Sequence, residues 1–220
     1  MNKWLIIAFI ILLLALLSMS QVNQQTKAAT TSLSIAPNDL VLRNALNKGA
    51  AGFKKTQVIA QAQPPIVTSG LMPKANRNYT YEPSFEGPNQ VTYQAVKNRS
   101  IANSIELLEA DYIGYTYIES SNELKLGVAY SDTFFFSLSY PMKENRTIID
   151  TDYGYDGVHA TTEVKVESTS AIVHTKAATF HNVIILAYPN GSKIYLAKDY
   201  GIIRITDFQG DITTELIAVE

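Results

Sequence analysis

The chain has 220 residues, 46% hydrophobic and 17% charged, with 18 basic against 20 acidic side chains and no cysteine. The missing sulfur excludes a disulfide scaffold, a Cys-ligated zinc or iron-sulfur centre and a lipid-modified N-terminal cysteine. The apolar content excludes a disordered chain, and the length predicts one domain with a small appendage.

Residues 1–20 read as a signal peptide or an N-terminal membrane anchor. Lys3 precedes an unbroken apolar run from Trp4 to Leu17, followed by Ser18-Met19-Ser20. A spanning helix needs about 20 apolar residues and a signal-peptide core about 7–15, so the run suits the second, with Ser18 and Ser20 as the small residues of a cleavage site. Retention as an uncleaved anchor is the alternative. Either way the chain is expected outside the cytoplasm, secreted or on the outer face of the cytoplasmic membrane. A cysteine-free exported chain of this size fits a Gram-positive envelope.

Residues 21–65 read as a basic spacer with one short helix. Gln21 to Ser34 is polar and aperiodic. Pro37-Asn38-Asp39 then offers a helix start, with Leu40, Val41, Ala45 and Leu46 at helical spacing before Gly49. Lys48, Lys54 and Lys55 continue it, and Pro64-Pro65 closes it. The charge is uneven along the chain. Residues 1–100 hold ten Lys or Arg against three acids, and the rest hold eight against seventeen. The basic N-terminal part is therefore a candidate for contact with a membrane or an anionic wall polymer, while the acidic β-rich part argues against nucleic acid.

Residues 66–220 read as a β-rich domain. Short β-branched or aromatic runs bounded by turn residues stand at 79–81, 91–96, 113–118, 124–130, 133–140, 161–167, 171–175, 180–188, 193–197, 201–206 and 215–219. Ten or eleven strands without a crossover helix predict an antiparallel sheet, and Pro189-Asn190-Gly191-Ser192 is the strongest hairpin turn. The expected fold is mainly β, a curved antiparallel sheet or half-barrel with one short N-terminal helix. All 13 tyrosines lie between Tyr79 and Tyr200. They suit strands whose rings pack and whose hydroxyls find partners, or a stacking face for carbohydrate or lipid.

Over residues 139–220, Tyr140-Pro141-Met142-Lys143, the stretch from Val173 to Val183, the stretch from Tyr195 to Arg204, Gly210 and Glu215-Leu216 form one pattern. It resembles the C-terminal region of a group of bacterial exported proteins and lipoproteins. The resemblance implies a curved, LolA-like antiparallel sheet and no catalytic residues. Ala178 stands where that group has Gly, and Lys198-Asp199 where it has Pro-Gly.

Asp150, Asp152 and Asp156 place three carboxylates at alternate positions near Gly154 and Gly157, a pattern that suits a hard cation such as calcium. The loop lacks an acid at its twelfth position, where Thr161 stands, and a solvated acidic turn is the other reading. His174 and His181 flank Lys176–Thr179 and would face each other if Ala177 and Ala178 were central to the turn, close enough to share a metal, but two His without a third ligand make a poor zinc site and ordinary hairpin positions are the other reading. No Gly-x-Ser-x-Gly, His-Glu-x-x-His or phosphate-binding loop occurs. The expected protein is a non-enzymatic exported binding or structural module without a required cofactor. It would take an apolar small molecule, lipid or protein ligand in the sheet's concavity. A metal-dependent or hydrolytic enzyme and a self-associating surface component are the alternatives.

Overall fold

The computed structural model describes residues 63–220 apart from Asp111 and Tyr155. The expected signal or anchor segment, the spacer and the short helix lie outside the described residues. There the chain forms twelve strands and no helix: β1 (Arg77–Tyr81), β2 (Val91–Lys97), β3 (Ser104–Glu109), β4 (Tyr112–Glu119), β5 (Glu123–Val128), β6 (Phe134–Ser139), β7 (Thr147–Gly154), β8 (Gly157–His174), β9 (Thr179–Ala187), β10 (Lys193–Ala197), β11 (Gly201–Thr206) and β12 (Ile212–Val219).

Each strand pairs antiparallel with its neighbours in sequence, and β12 returns to β1 through Tyr79↔Val219 and Thr80↔Ala218. The sheet is therefore a closed barrel, which corrects the expected half-barrel. The pairing of first and last strands removes two edges that a half-barrel would leave open. The sequence resemblance begins near β7 and cannot contain β1, the strand that closes the ring.

Two strands escape the sequence pattern. In β3, Ser-Ile-Glu-Leu-Leu-Glu carries good helix formers, yet it is held between β2 and β4, with Ile105 and Leu107 in the core. In β7, the alternating carboxylates that read as a loop belong to a strand, with Ile148 and Asp150 buried. The runs at 161–167 and 171–175 are parts of one long strand, β8, interrupted by bulges.

The interior is filled by alternate side chains. Tyr79, Tyr81, Tyr93, Tyr117, Leu107, Leu124, Leu138 and Leu186 are fully buried. Charged residues such as Lys125, Glu163, Lys165 and Arg204 are partly or fully exposed, the reverse of the apolar exterior of a membrane-spanning barrel.

Alternate hairpins lie at opposite ends of an up-and-down barrel, which gives this one two distinct ends. At the proximal end, where the chain enters β1, residues 67–76 cover the opening. Val67 and Met142 exchange backbone hydrogen bonds of 2.9 and 2.8 Å. Leu71 is buried and its amide donates to Glu119 Oε1 at 3.0 Å, while Asp199 N donates to Gly70 O at 2.9 Å. The far half of the β8–β9 hairpin bends back. Its Phe180 packs edge-on against Tyr200 with ring centroids 5.0 Å apart, His174 O accepts from Arg204 Nη2 at 2.6 Å, and Lys176 pairs with Glu82 at 3.4 Å.

Candidate functional site at the aromatic end of the barrel

The opposite, distal end is formed by the β1–β2, β3–β4, β5–β6, β7–β8, β9–β10 and β11–β12 connections. Five rings run in contact from the core toward it. Phe85 sits 4.8 Å from Tyr81, 6.0 Å from Tyr93 and 5.3 Å from Tyr115, and Tyr115 lies 5.7 Å from Tyr93 and 6.0 Å from Phe135, centroid to centroid. The pairs are tilted or edge-on, the arrangements the ring quadrupoles favour. Tyr81 and Tyr93 are fully buried, Phe85 and Tyr115 half-buried and Phe135 is 39% exposed, so the cluster surfaces at its outer rings.

Four of the five rings stand on strands. Phe85 does not: it lies in the loop between β1 and β2, bounded by Pro83 and by Gly87-Pro88. A short Ser84–Gly87 backbone pair, 2.8 and 3.3 Å, shapes the loop, and buried Ser84 anchors it. Phe85 thus covers the cluster from a loop rather than from a sheet ladder, and the residues before it are tied to β12 by Glu82 N to Glu215 O at 2.9 Å and Glu215 N to Pro83 O at 3.0 Å. Sequence reading missed it. The available signal was an aromatic inside a stretch otherwise made of turn residues.

The hydroxyls deeper in the barrel are structural. Tyr81 donates to Ile202 O at 2.9 Å, Tyr117 accepts from Ile202 N at 3.2 Å, and Tyr79 accepts from Lys74 N at 2.8 Å. Burial pushes the pKa of each of these phenols up. Burial also raises Tyr93, and the neighbouring Tyr115 and the carboxylates of Glu86 and Glu109 raise it further. The distal rim is rich in carboxylates, of which Glu82 is paired with Lys176. The β1–β2, β5–β6 and β11–β12 loops hold Glu82, Glu86, Asp132, Asp207 and Asp211 and no Lys or Arg of their own.

The three carboxylates singled out in the sequence differ in burial and in hydrogen-bond partners, though Asp152 acts on Asp150 and His159 on both Asp152 and Asp156. Asp150 is buried, accepting from Ser137 N at 2.9 Å and from Tyr188 Oη at 2.8 Å. Burial raises its pKa against those two hydrogen bonds. Asp152 stands two positions on, also raised by burial and opposed by nearby His159. Asp156 is exposed in the turn and makes a short contact with His159 Nε2, which lowers its pKa. Among the described residues, no group of three His, Asp or Glu is placed to hold a metal ion. His174 faces Thr179, with Nδ1 2.8 Å from Oγ1, because Val173 pairs with Phe180. His181 is not opposite it.

Two open clefts lie elsewhere: one of about 440 Å³ at the proximal end beside Met72, Asn103 and Glu119, the other of about 320 Å³ beside Glu163, Lys165 and Tyr188.

No protein-family model matches the chain, and no curated protein matches it significantly. A solved structure called a "putative lipoprotein" from Parabacteroides distasonis is similar to it with 12% identity and a TM-score of 0.37, over 70% of this chain and 99% of that one.

Proposed function

We propose that this chain is an exported, non-catalytic binding protein that takes an apolar ligand at the distal end of its barrel, in place of the Phe85 ring. Export is supported by the apolar run from Trp4 to Leu17. The observation that carries the binding reading is the stack of Tyr81, Tyr93, Tyr115 and Phe135 covered by a ring from a loop. A closed and filled barrel has no open concave face, so an apolar ligand must use an end. The proximal end is covered by residues 67–76, whose backbone bonds tie them to β2 and to the β6–β7 and β10–β11 connections.

The acidic rim favours a neutral or cationic amphiphile over an anionic one. The test is titration of the purified full chain with an alkyl alcohol, an alkyl trimethylammonium salt and a fatty acid of equal chain length. Saturable binding of the first two, strengthened by Phe85→Ala and lost in Tyr115→Ala, is the expected result. Absence of saturable binding by all three, in wild type and Phe85→Ala alike, would sink the proposal.

A further inference from the structure

On the footing of a ligand site at the distal end, we infer that its ligand is a primary amine. Its ammonium donates to the buried hydroxyl of Tyr93 and pairs with the carboxylates of Glu109 and Glu86, while its apolar body lies against Tyr81 and Tyr115.

Tyr93 stands on β2 among the rings of Tyr81, Phe85 and Tyr115, with centroids 6.1, 6.0 and 5.7 Å away. It is fully buried. Its hydroxyl has no hydrogen-bond partner among the described residues, and the Tyr115 phenol approaches it without completing a bond. The other fully buried phenols differ: Tyr79, Tyr81 and Tyr117 all meet backbone groups. A buried hydroxyl without a partner is destabilising and uncommon in a folded protein, so one that persists needs a reason outside the fold.

The Tyr93 hydroxyl points toward the distal end. The carboxylates that act on it are Glu86, in the β1–β2 loop, and Glu109, the last residue of β3, and both belong to that end. Glu109 is half-buried and has no ion-pair partner among the described residues. The β1–β2 and β3–β4 connections contain no Lys or Arg.

The polar group that fits must satisfy three demands together. The orphan oxygen needs a hydrogen-bonding partner, the carboxylates need a positive charge, and the ring faces attract a cation through their quadrupoles. A carboxylate or phosphate head is repelled by Glu86 and Glu109. An alcohol meets the hydroxyl but brings no charge. A quaternary ammonium brings the charge but has no N–H, so Tyr93 Oη stays without a partner. A primary ammonium carries three N–H donors on a compact charge and meets all three demands. The place of the Phe85 ring, 4.8 Å from Tyr81 and 5.3 Å from Tyr115, receives the apolar body.

Titration calorimetry of the purified full chain tests this with an alkylamine, an alkyl trimethylammonium salt and an alkyl alcohol of equal chain length, at neutral pH where the amine is charged. Wild type is expected to bind the amine about tenfold more tightly than the other two. Tyr93→Phe should bring the amine and trimethylammonium affinities within about twofold of each other. Glu109→Gln should weaken the amine relative to the alcohol. Because the hydroxyl has no partner in the unliganded chain, Tyr93→Phe should melt no lower than wild type. Saturable binding with the amine no tighter than the trimethylammonium salt overturns the amine and leaves the distal site standing. A preference that survives in Tyr93→Phe, or a lowered melting temperature in that variant, overturns the role of the hydroxyl. Absence of binding by all three, in wild type and Phe85→Ala alike, removes the distal site and the amine with it.

Discussion

The hydroxyl of Tyr117, on β4, accepts a hydrogen bond from the backbone amide of Ile202, on β11, at 3.2 Å. Those strands stand far apart around the ring, with β12, β1, β2 and β3 between them on the shorter path. One tyrosine spans the interior there, so the barrel is flattened until side chains fill it. A round barrel of twelve strands would leave a wider lumen. Tyr81 takes the carbonyl of the same residue, so both backbone groups of Ile202 are satisfied by phenols from other strands.

Removing the Tyr117 hydroxyl leaves the Ile202 amide buried without that acceptor. Tyr117→Phe is expected to lower the unfolding free energy by about 1–3 kcal/mol, the usual cost of an unsatisfied buried donor. Urea unfolding measures it. A variant as stable as wild type would mean that the amide has found another partner.

Arg204 binds Glu215 Oε1 through both Nε and Nη2, at 2.9 and 2.5 Å, and also holds His174 O. Glu215 is only 8% exposed, so Arg204→Ala leaves a largely buried carboxylate unpaired. The expected loss is about 2–4 kcal/mol. Lys176→Ala, which breaks the exposed pair with Glu82, should cost at most about 0.5 kcal/mol. Thermal melts of the two variants test the contrast, and similar losses would contradict it.

Asp150 has its folded pKa raised, mainly by burial, above that of an unfolded aspartate near 3.9. The folded state thus holds the proton more tightly than the unfolded one. The associated stability is fully present below the unfolded pKa and is lost as pH rises through the folded one. Asp150→Asn abolishes that titration. Wild type should therefore lose stability relative to Asp150→Asn as pH is raised from strongly acidic values. A stability difference between the two that stays flat with pH, or runs the other way, refutes the assignment.

Gly127 sits at a bulge in β5 where a Cβ would lie 2.3 Å from the carbonyl oxygen of Thr133 and 2.8 Å from the Phe134 ring. The ring can shift but the backbone carbonyl cannot do so cheaply. Gly127→Ala is expected to destabilise by about 1–3 kcal/mol, the range for overpacking, measurable by chemical denaturation.

Asp150 is held by Ser137 and Tyr188, and Asp156 by His159, so these carboxylates already have partners. The melting temperature is expected to be the same in chelator and in millimolar calcium. A calcium-dependent rise that chelator reverses would contradict this and identify the three carboxylates as a cation site.

Much of the β character could be read along the chain. The runs in β2, β5, β6, β10 and β11 combine β-branched and aromatic residues with turn residues at their ends, and those signals are local. β3 and β7 were not readable, because their Glu, Leu and Asp favour helix or loop when isolated and only the flanking strands impose the extended form. The Asp150–Asp152–Asp156 spacing suggested a shared cation, and the burial of Asp150 against Ser137 and Tyr188, with Asp156 exposed beside His159, came only from the tertiary structure. Phe85 was hidden because its role depends on Tyr81, Tyr93 and Tyr115, brought to it by β1, β2 and β4.

By itself the sequence determined the class of the protein: a cysteine-free chain with an apolar run from Trp4 to Leu17, an uneven charge distribution and an antiparallel β domain. These follow from composition, hydropathy and residue period, which act over a few neighbours. Tertiary structure alone decided that the sheet closes, because Tyr79 and Val219 meet from the two extremes of the domain. It also decided that the ring closes with a step, leaving one stretch of β8 without a neighbour. Register and closure are long-range pairings, and no local pattern encodes which strand ends short of its neighbour.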